Sequence, residues 1–288
     1  MHINKIILGT ANLSTSYGLE NKKFDSLNDL EKIFKYFKRK NQKVFIDTAQ
    51  AYGKSEKVLG KVFYKNKVEY ITKIRLRKND IHEGKFYQKV NNSLRNLRTN
   101  KIYCLMIHNV NFLKNDKTID KIKKNLIKLK KEKIVKKYGV SIYDVKELKK
   151  IYKKFDPDVV QLPLNIFDQN KTKNSWMKKM FNQKKEIHIR SVFLQGVLLK
   201  KRDQLPTKFI KFKNHFEKWY KWLIKNKLSN LDACLNFIYN EKHISKFVIG
   251  VENFSQFKKI INFKRDRKKL FFKVLASKSK KLIDPRKW

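Results

Sequence analysis

Cysteine is nearly absent: the chain has two, Cys104 and Cys234. That excludes a disulfide-stapled scaffold, and no Cys/His cluster has the spacing of a zinc site, so no metal is expected. Cys104 stands in the apolar run IYCLMI and Cys234 in NLDACLNFIYN, so both read as small core side chains in a reducing compartment. Proline (4) and glycine (8) are too scarce for collagen-like or linker-rich stretches. No apolar run approaches the ~20 residues of a membrane span, and MHINKIILGTANL carries no signal-peptide pattern. The expectation is a soluble cytoplasmic chain. The phosphate-cradling signatures G-x-G-x-x-G and G-x-x-x-x-G-K-[ST] are missing as well.

Acidic residues are few: 25 Asp plus Glu face 71 Lys plus Arg, a formal charge of +46. Such a field attracts polyanions. Most of the cations are lysine, however, and Asn, Ile and Phe are also plentiful. All have AT-rich codons, so compositional bias accounts for the charge without a partner. A dedicated phosphate or base reader would be richer in arginine. No specific nucleic-acid partner is expected.

What is present is a recurring alternation. Short apolar runs occur at 5–10, 43–47, 69–74, 102–108, 136–142, 159–165, 186–194 and 246–251. They are mostly continuous, as in parallel strands covered on both faces. Helical periodicity lies between them. In TIDKIKKNLIKLKKEKIV, Ile119, Ile122, Leu126, Leu129 and Ile134 fall on one side and lysines on the other. DSLNDLEKIFKYFKRK and SIYDVKELKKIYKKF repeat the pattern behind Asp or Ser caps. Eight strands alternating with helices predict a single (β/α)8 TIM-barrel domain over residues 1–288, with an extra helix between strands seven and eight. A doubly wound open sheet is the alternative.

In such a barrel the reacting groups sit at the C-terminal ends of the strands. The second run ends in Asp47, with Tyr52 just beyond; the third delivers Lys73; the fourth ends in His108. Singly, each has an ordinary reading as a cap, a loop aromatic, an exposed strand end or a buried histidine. Consecutive barrel strands are neighbours, so the four converge on one mouth. A free phenol titrates near ~10. An adjacent ammonium favours phenolate, and a buried carboxylate keeps that ammonium charged. The set suits protonation of an oxygen gaining negative charge, as in reduction of a C=O bond by hydride transfer. No hydrolytic nucleophile is apparent.

The stretches LGTANLSTSYG, FIDTAQAYGKSEKVLGK, YITKI, LMIHN, KYGVSIYDVKEL, VVQLPLNIFD, RSVFLQGVLL and FVIGVENFSQ resemble, in order and spacing, the aldo/keto reductases, from about residue 5 to residue 260. The resemblance implies a barrel that binds NAD(P)H without a Rossmann motif and reduces aldehydes and ketones. Tyr52 would be the proton donor, with Asp47, Lys73 and His108 completing a tetrad. NADPH is the expected cofactor, with NADH as the alternative. Ser141 and Gln161 match positions that hold the nicotinamide carboxamide. Ser191, Phe193 and Gly196 match the loop around the pyrophosphate, and Gly250, Val251 and Gln256 the adenosine end. Thr10, Asp47 and Arg190 join the cofactor-contacting set.

Four departures from the family pattern shape the substrate expectation. Arg190 replaces a common aromatic. With Glu186 and His188 it occupies one face of strand seven, which is either a polar floor to the site or a buried ion pair. Ile142 replaces a common Asn. Gln256 replaces a common arginine, although Lys258 and Lys259 are near. The chain is short for the family, with the N-terminal hairpin and substrate loops reduced. The substrate is expected to be a small carbonyl compound, a sugar or phosphorylated one in particular, and the tail LIDPRKW is expected near the mouth, with Trp288 against the substrate. The rival function is a catalytically silent barrel serving regulation, interaction or polyanion binding.

Overall fold

A computed structural model describes residues 3–14, 24, 26–64, 66–113, 115–171, 175–266 and 268–288. Eight parallel strands close into a barrel in sequence order. They are β1 (Ile6–Gly9), β2 (Val44–Asp47), β3 (Val68–Ile74), β4 (Ile102–Ile107), β5 (Val135–Ser141), β6 (Val159–Pro163), β7 (Glu186–Arg190) and β8 (Lys246–Gly250). The ring is sealed by β1 on β8, with Ile6 opposite Phe247 and Gly9 opposite Gly250. All eight coincide with the apolar runs of the sequence, and the open-sheet alternative falls with the closure.

The helices are α1 (Leu27–Arg39), α2 (Ser55–Val62), α3 (Glu83–Leu97), α4 (Asp116–Lys131), α5 (Val145–Phe155), α6 (Ser175–Asn182), α7 (Lys213–Asn226), α8 (Asn230–Asn240), α9 (Phe254–Ile261) and α10 (Lys280–Ile283). The predicted extra helix is real: α7 and α8 both lie between β7 and β8. Ser26 caps α1 by accepting from the Asp29 N–H, and Asp144 caps α5 in a capping box with Glu147. In α4 the side chains of Ile119, Ile122, Leu126 and Leu129 are buried, whereas Ile134 lies beyond the helix and leads into β5.

Strand parity sorts the core into two. Leu8, Ile46, Ile74, Leu105 and Ile107 join Leu30, Ile33, Phe37, Leu126 and Leu148 in the layer between sheet and helices. Residues of opposite parity, Ile7, Phe45, Ile71, Cys104, Met106 and Val159, form a smaller cluster without any helix residue, which is the barrel lumen; Tyr103 near the start of β4 joins it against the parity. Gly139 lets β5 approach β6 closely. A Cβ there would lie 2.2 Å from the Val159 carbonyl oxygen. Apolar side chains fill only part of the lumen, and its two ends are polar.

Candidate active site

Asp47 is the last residue of β2, and Lys73 lies near the end of β3 on the lumen face. The two are 4% and 1% exposed. The Lys73 ammonium donates to Asp47 Oδ1 and, at 3.1 Å, to the Thr48 carbonyl. Burial alone would lower the Lys73 pKa. The carboxylate of Asp47 and the Tyr52 phenol outweigh it, and the net shift is upward. Lys73 therefore remains an ammonium. The other Asp47 oxygen accepts from Gln161 Nε2 at 2.7 Å, across the lumen from β6.

After β2 the chain makes a turn in which the Tyr52 N–H donates to the Ala49 carbonyl at 2.9 Å. Gly53 follows with φ of 57°, left-handed backbone that glycine adopts readily, and α2 starts at Ser55. The turn is pinned to neighbours. Ser14 Oγ donates to the Tyr52 carbonyl at 2.6 Å, Gln50 Nε2 to the Lys89 carbonyl at 2.7 Å, and Ser55 Oγ to the Thr10 carbonyl at 3.1 Å. Tyr52 is held with its ring centroid 5.2 Å from Lys73 Nζ and 6.1 Å from the His108 ring, edge to face at 88°. His108 follows β4 directly. Its Nδ1 is buried without a partner among the described residues. Burial, reinforced by the Lys73 charge, lowers its pKa to about 4. At neutral pH the cluster pairs an ammonium with a neutral imidazole beside a half-buried phenol. All four residues named from the sequence meet at one mouth.

The remaining sequence candidates lie around the same end of the barrel. Ser141 and Gln161 are register partners on β5 and β6, and Gln161 Oε1 is buried without a partner among the described residues. Thr10 Oγ1 donates to the Asp47 carbonyl at 2.9 Å, which ties β1 to β2. After β7 the backbone is left-handed at Ser191, Leu194, Gln195 and Gly196, with φ of 61°, 48°, 54° and 92°. Non-glycine residues rarely collect there, and such runs mark ligand-contacting turns. Phe193 is buried in the apolar layer. Gly250 closes β8 facing open space. The Val251 carbonyl accepts from Asn12 Nδ2 at 2.9 Å. Gln256 is locked to Glu252, accepting from its N–H at 2.9 Å and donating to its carboxylate at 3.0 Å.

The strand-seven face divides by depth. Arg190 is at the mouth, where its guanidinium lies 4.2 Å from the Tyr143 ring centroid and donates to the Ile142 carbonyl at 3.2 Å. Glu186 and His188 lie toward the opposite end, where Glu186 is ion-paired with Lys137 and burial lowers the His188 pKa. His188 Nε2 is 2.9 Å from Glu186 Oε2, and Lys137 and Tyr103 donate to Glu186 Oε1 at 2.6 and 2.7 Å. The tail does reach the mouth through 280–287, but Trp288 itself packs on Phe209 and donates to the Leu282 carbonyl. Sequence reasoning missed Tyr143, Asp168 and Arg286, which line a cleft between β5–β7 and the tail. Asp168 lies in the quoted stretch NIFD, and its partner Lys171 three residues on is the signal that was there to read. Among the described residues no group of three or more His, Cys, Asp or Glu side chains could hold a metal ion, and no helix is long and apolar enough to cross a membrane.

Fold and cluster together are those of a (β/α)8-barrel oxidoreductase. A family model described as "Aldo/keto reductase family" matches residues 5–266, and the chain belongs to that family. Among solved structures it is similar to an aldo-keto reductase from Bacillus halodurans in its holo form, at TM-score 0.76 and 16% identity, covering 99% of this chain and 95% of that one. It is also similar to a glycerol dehydrogenase from Gluconobacter oxydans, at TM-score 0.68 and 20% identity, covering 91% and 88%. At these identities the likeness concerns the fold. Among curated proteins no sequence matches.

Proposed function

We propose that the protein reduces an aldehyde or ketone, with a nicotinamide dinucleotide as hydride source and Tyr52 as proton donor. The observation that carries this reading is the Lys73 ammonium, buried between the Asp47 carboxylate and the Tyr52 ring. Asp47 keeps Lys73 charged and fixed. Lys73 stabilises the negative charge that grows on the phenol oxygen as its proton passes to the substrate oxygen. His108, uncharged, is suited to hydrogen-bond the substrate carbonyl rather than to compete for that proton.

The residues around the mouth fit the dinucleotide. The unpartnered Gln161 Oε1 is an acceptor for a carboxamide N–H, with Ser141 beside it. The left-handed run from Ser191 to Gly196 offers backbone N–H groups to a pyrophosphate, and open space at Gly250 admits the adenosine side. When bound, the nicotinamide supplies the hydride. Thr10 acts by setting the end of β2, and Arg190 borders the ring site. At the end assigned to adenosine, Val251 anchors the loop. There Glu252 stands against a 2′-phosphate, while Lys258 and Lys259 favour one. NADPH is the first cofactor to test and NADH the second. The substrate is a small, polar carbonyl compound of the sugar or phosphorylated class.

The test is a fluorescence titration with NADPH and NADH, followed by turnover on a carbonyl panel, for wild type and Tyr52→Phe. Equal cofactor binding with turnover reduced about 10²–10⁴-fold in the variant is expected. Wild type that binds neither cofactor would sink the reading.

A further inference from the structure

The tetrad accounts for β2, β3 and β4. It leaves unexplained a cleft of about 240 Å³ on the other side of the mouth, between the ends of β5–β7 and the tail. Its charged groups do not all cancel. Asp168 is paired with Lys171, Asp144 with Lys280 at 3.5 Å, and Asp284 with Arg286 through two bonds of 2.9 and 2.7 Å. Arg190 has no carboxylate partner among the described residues. One of its five N–H donors goes to the Ile142 carbonyl, and its flat face meets Tyr143. Arg286, its charge already met by Asp284, lies on the same ring at 3.5 Å. The backbone of Tyr143 is held in place, since its N–H donates to Glu147 of the α5 capping box at 2.8 Å. A half-buried guanidinium with spare donors and no carboxylate partner is an anion site by its chemistry.

A second group points into the cleft independently. Asp168 is 4% exposed; Lys171 takes Oδ2, and Oδ1 is buried without a donor. The backbone that carries it is not loose. Asn165 Oδ1 accepts from both the Phe167 and Asp168 N–H groups at 3.0 Å, and Asn165 Nδ2 donates to the Ser191 carbonyl at 3.3 Å. A buried carboxylate oxygen without a donor wants an O–H or N–H donor from a ligand. Arg190 also links the cleft to the tetrad. Its charge is felt at both Lys73 and His108, and it is the register partner of Pro163, two residues beyond Gln161.

We propose that this cleft is the substrate's anion subsite: Arg190 binds a carboxylate or phosphate, Asp168 Oδ1 accepts from a substrate hydroxyl, and the carbonyl reaches across the mouth to Tyr52. The substrate class is then a small hydroxylated carbonyl compound with an anionic group at the far end from the C=O. This deepens the reductase reading and rests on it for the direction in which the substrate lies. The volume, equal to roughly eight waters, suits a small metabolite and not a polymer.

Matched substrates test it: 4-oxobutanoate against butanal, and glyceraldehyde 3-phosphate against glyceraldehyde, at saturating cofactor. Wild type is expected to favour the anionic member of each pair by about tenfold or more in kcat/KM. Arg190→Met should bring both ratios to within about threefold, and Arg190→Lys should fall between, keeping the charge and losing the fork. Asp168→Asn should hurt glyceraldehyde 3-phosphate more than 4-oxobutanoate, which has no hydroxyl. Lys124→Ser, an exposed change on α4, controls for the general positive field. The two pairs distinguish phosphate from carboxylate. A wild-type ratio near one, a ratio that survives Arg190→Met in a folded protein, or a ratio lost equally in Lys124→Ser overturns the proposal. Calorimetric titration with glycerol 3-phosphate separates the two claims. Binding that depends on Arg190 without any turnover keeps the subsite and removes the reductase reading. Turnover without anion preference or binding does the reverse, and absence of both removes both.

Discussion

The two ends of the barrel hold the same four kinds of side chain and use them in opposite ways. At the mouth stand Asp47, Lys73, Tyr52 and His108; at the other end stand Glu186, Lys137, Tyr103 and His188. At the closed end the phenol donates to the carboxylate at 2.7 Å, the lysine joins it at 2.6 Å, and the histidine takes the second oxygen at 2.9 Å. Burial would raise the Glu186 pKa, but the three donors outweigh it and hold the carboxyl well below its usual range. Burial, with help from Glu186, pushes the Tyr103 phenol up, so it keeps its proton. At the mouth the carboxylate takes lysine and glutamine instead. The phenol is left half-buried beside the ammonium, and His108 Nδ1 has no partner among the described residues. Composition does not make such a cluster reactive. Which donor the carboxylate takes decides it, together with whether the phenol proton has anywhere to go.

The comparison can be broken from either end. The largest effect should come from Lys73→Met. It removes the charge beside the phenol and leaves Asp47 buried and unpaired, so turnover should fall at least as far as in Tyr52→Phe, with stability down by about 3–5 kcal/mol in a denaturant titration. Glu186→Gln should cost about 1–3 kcal/mol of stability by the same titration. Its kcat should stay within about twofold of wild type, a change of under ~0.5 kcal/mol in barrier. Tyr103→Phe should cost only about 1 kcal/mol and likewise spare turnover, in contrast to Tyr52→Phe. A large kcat loss in either closed-end variant would end the distinction drawn between the two clusters.

Smaller effects follow from pH. His108 titrates at about 4 in the folded chain against 6.5 as a free group. Between those values the unfolded chain binds the proton and the folded one does not, so stability falls as pH drops from 6.5 toward 4. Glu186 behaves as a depressed carboxyl. Its contribution is present above 4.5 and is lost as pH falls below that value. Melting temperatures across pH 4–7 in wild type and His108→Gln check the first. The variant should lose part of the slope. The kcat/KM profile of wild type should show no inflection near 6.5 from His108.

Much of this was legible in the chain because one rule served twice. Most strands are near-continuous apolar runs, and each tetrad residue is a polar group ending or closely following such a run. Position along the strand therefore gave both fold and depth. Parity on E-I-H-I-R correctly put Glu186, His188 and Arg190 on one face, but parity carries no information on partners. Glu186 is satisfied by Tyr103 and Lys137, 83 and 49 residues earlier in the chain, at the beginnings of other strands. The cleft stayed hidden for a related reason. Tyr143 is a loop aromatic in sequence, and only the return of the tail sets Arg286 on its ring. Trp288 was the obvious aromatic to place against a substrate, yet Phe209 offered a closer apolar partner.

The order of the strands gives this arrangement a modular character. The four residues assigned to moving the proton lie between residues 47 and 108, on or just after β2 to β4, with Gln161 of β6 as their one support from beyond that stretch. Everything assigned to gripping the anion lies between 143 and 286, beyond the β4–β5 seam. Hybrid barrels joined at that seam, with Gln161 kept, could therefore trade one preference for another while inheriting the proton-donating residues together. For the same reason, drift at Arg190 and Asp168 could diversify what is recognised while the residues facing the proton and the cofactor stay as they are.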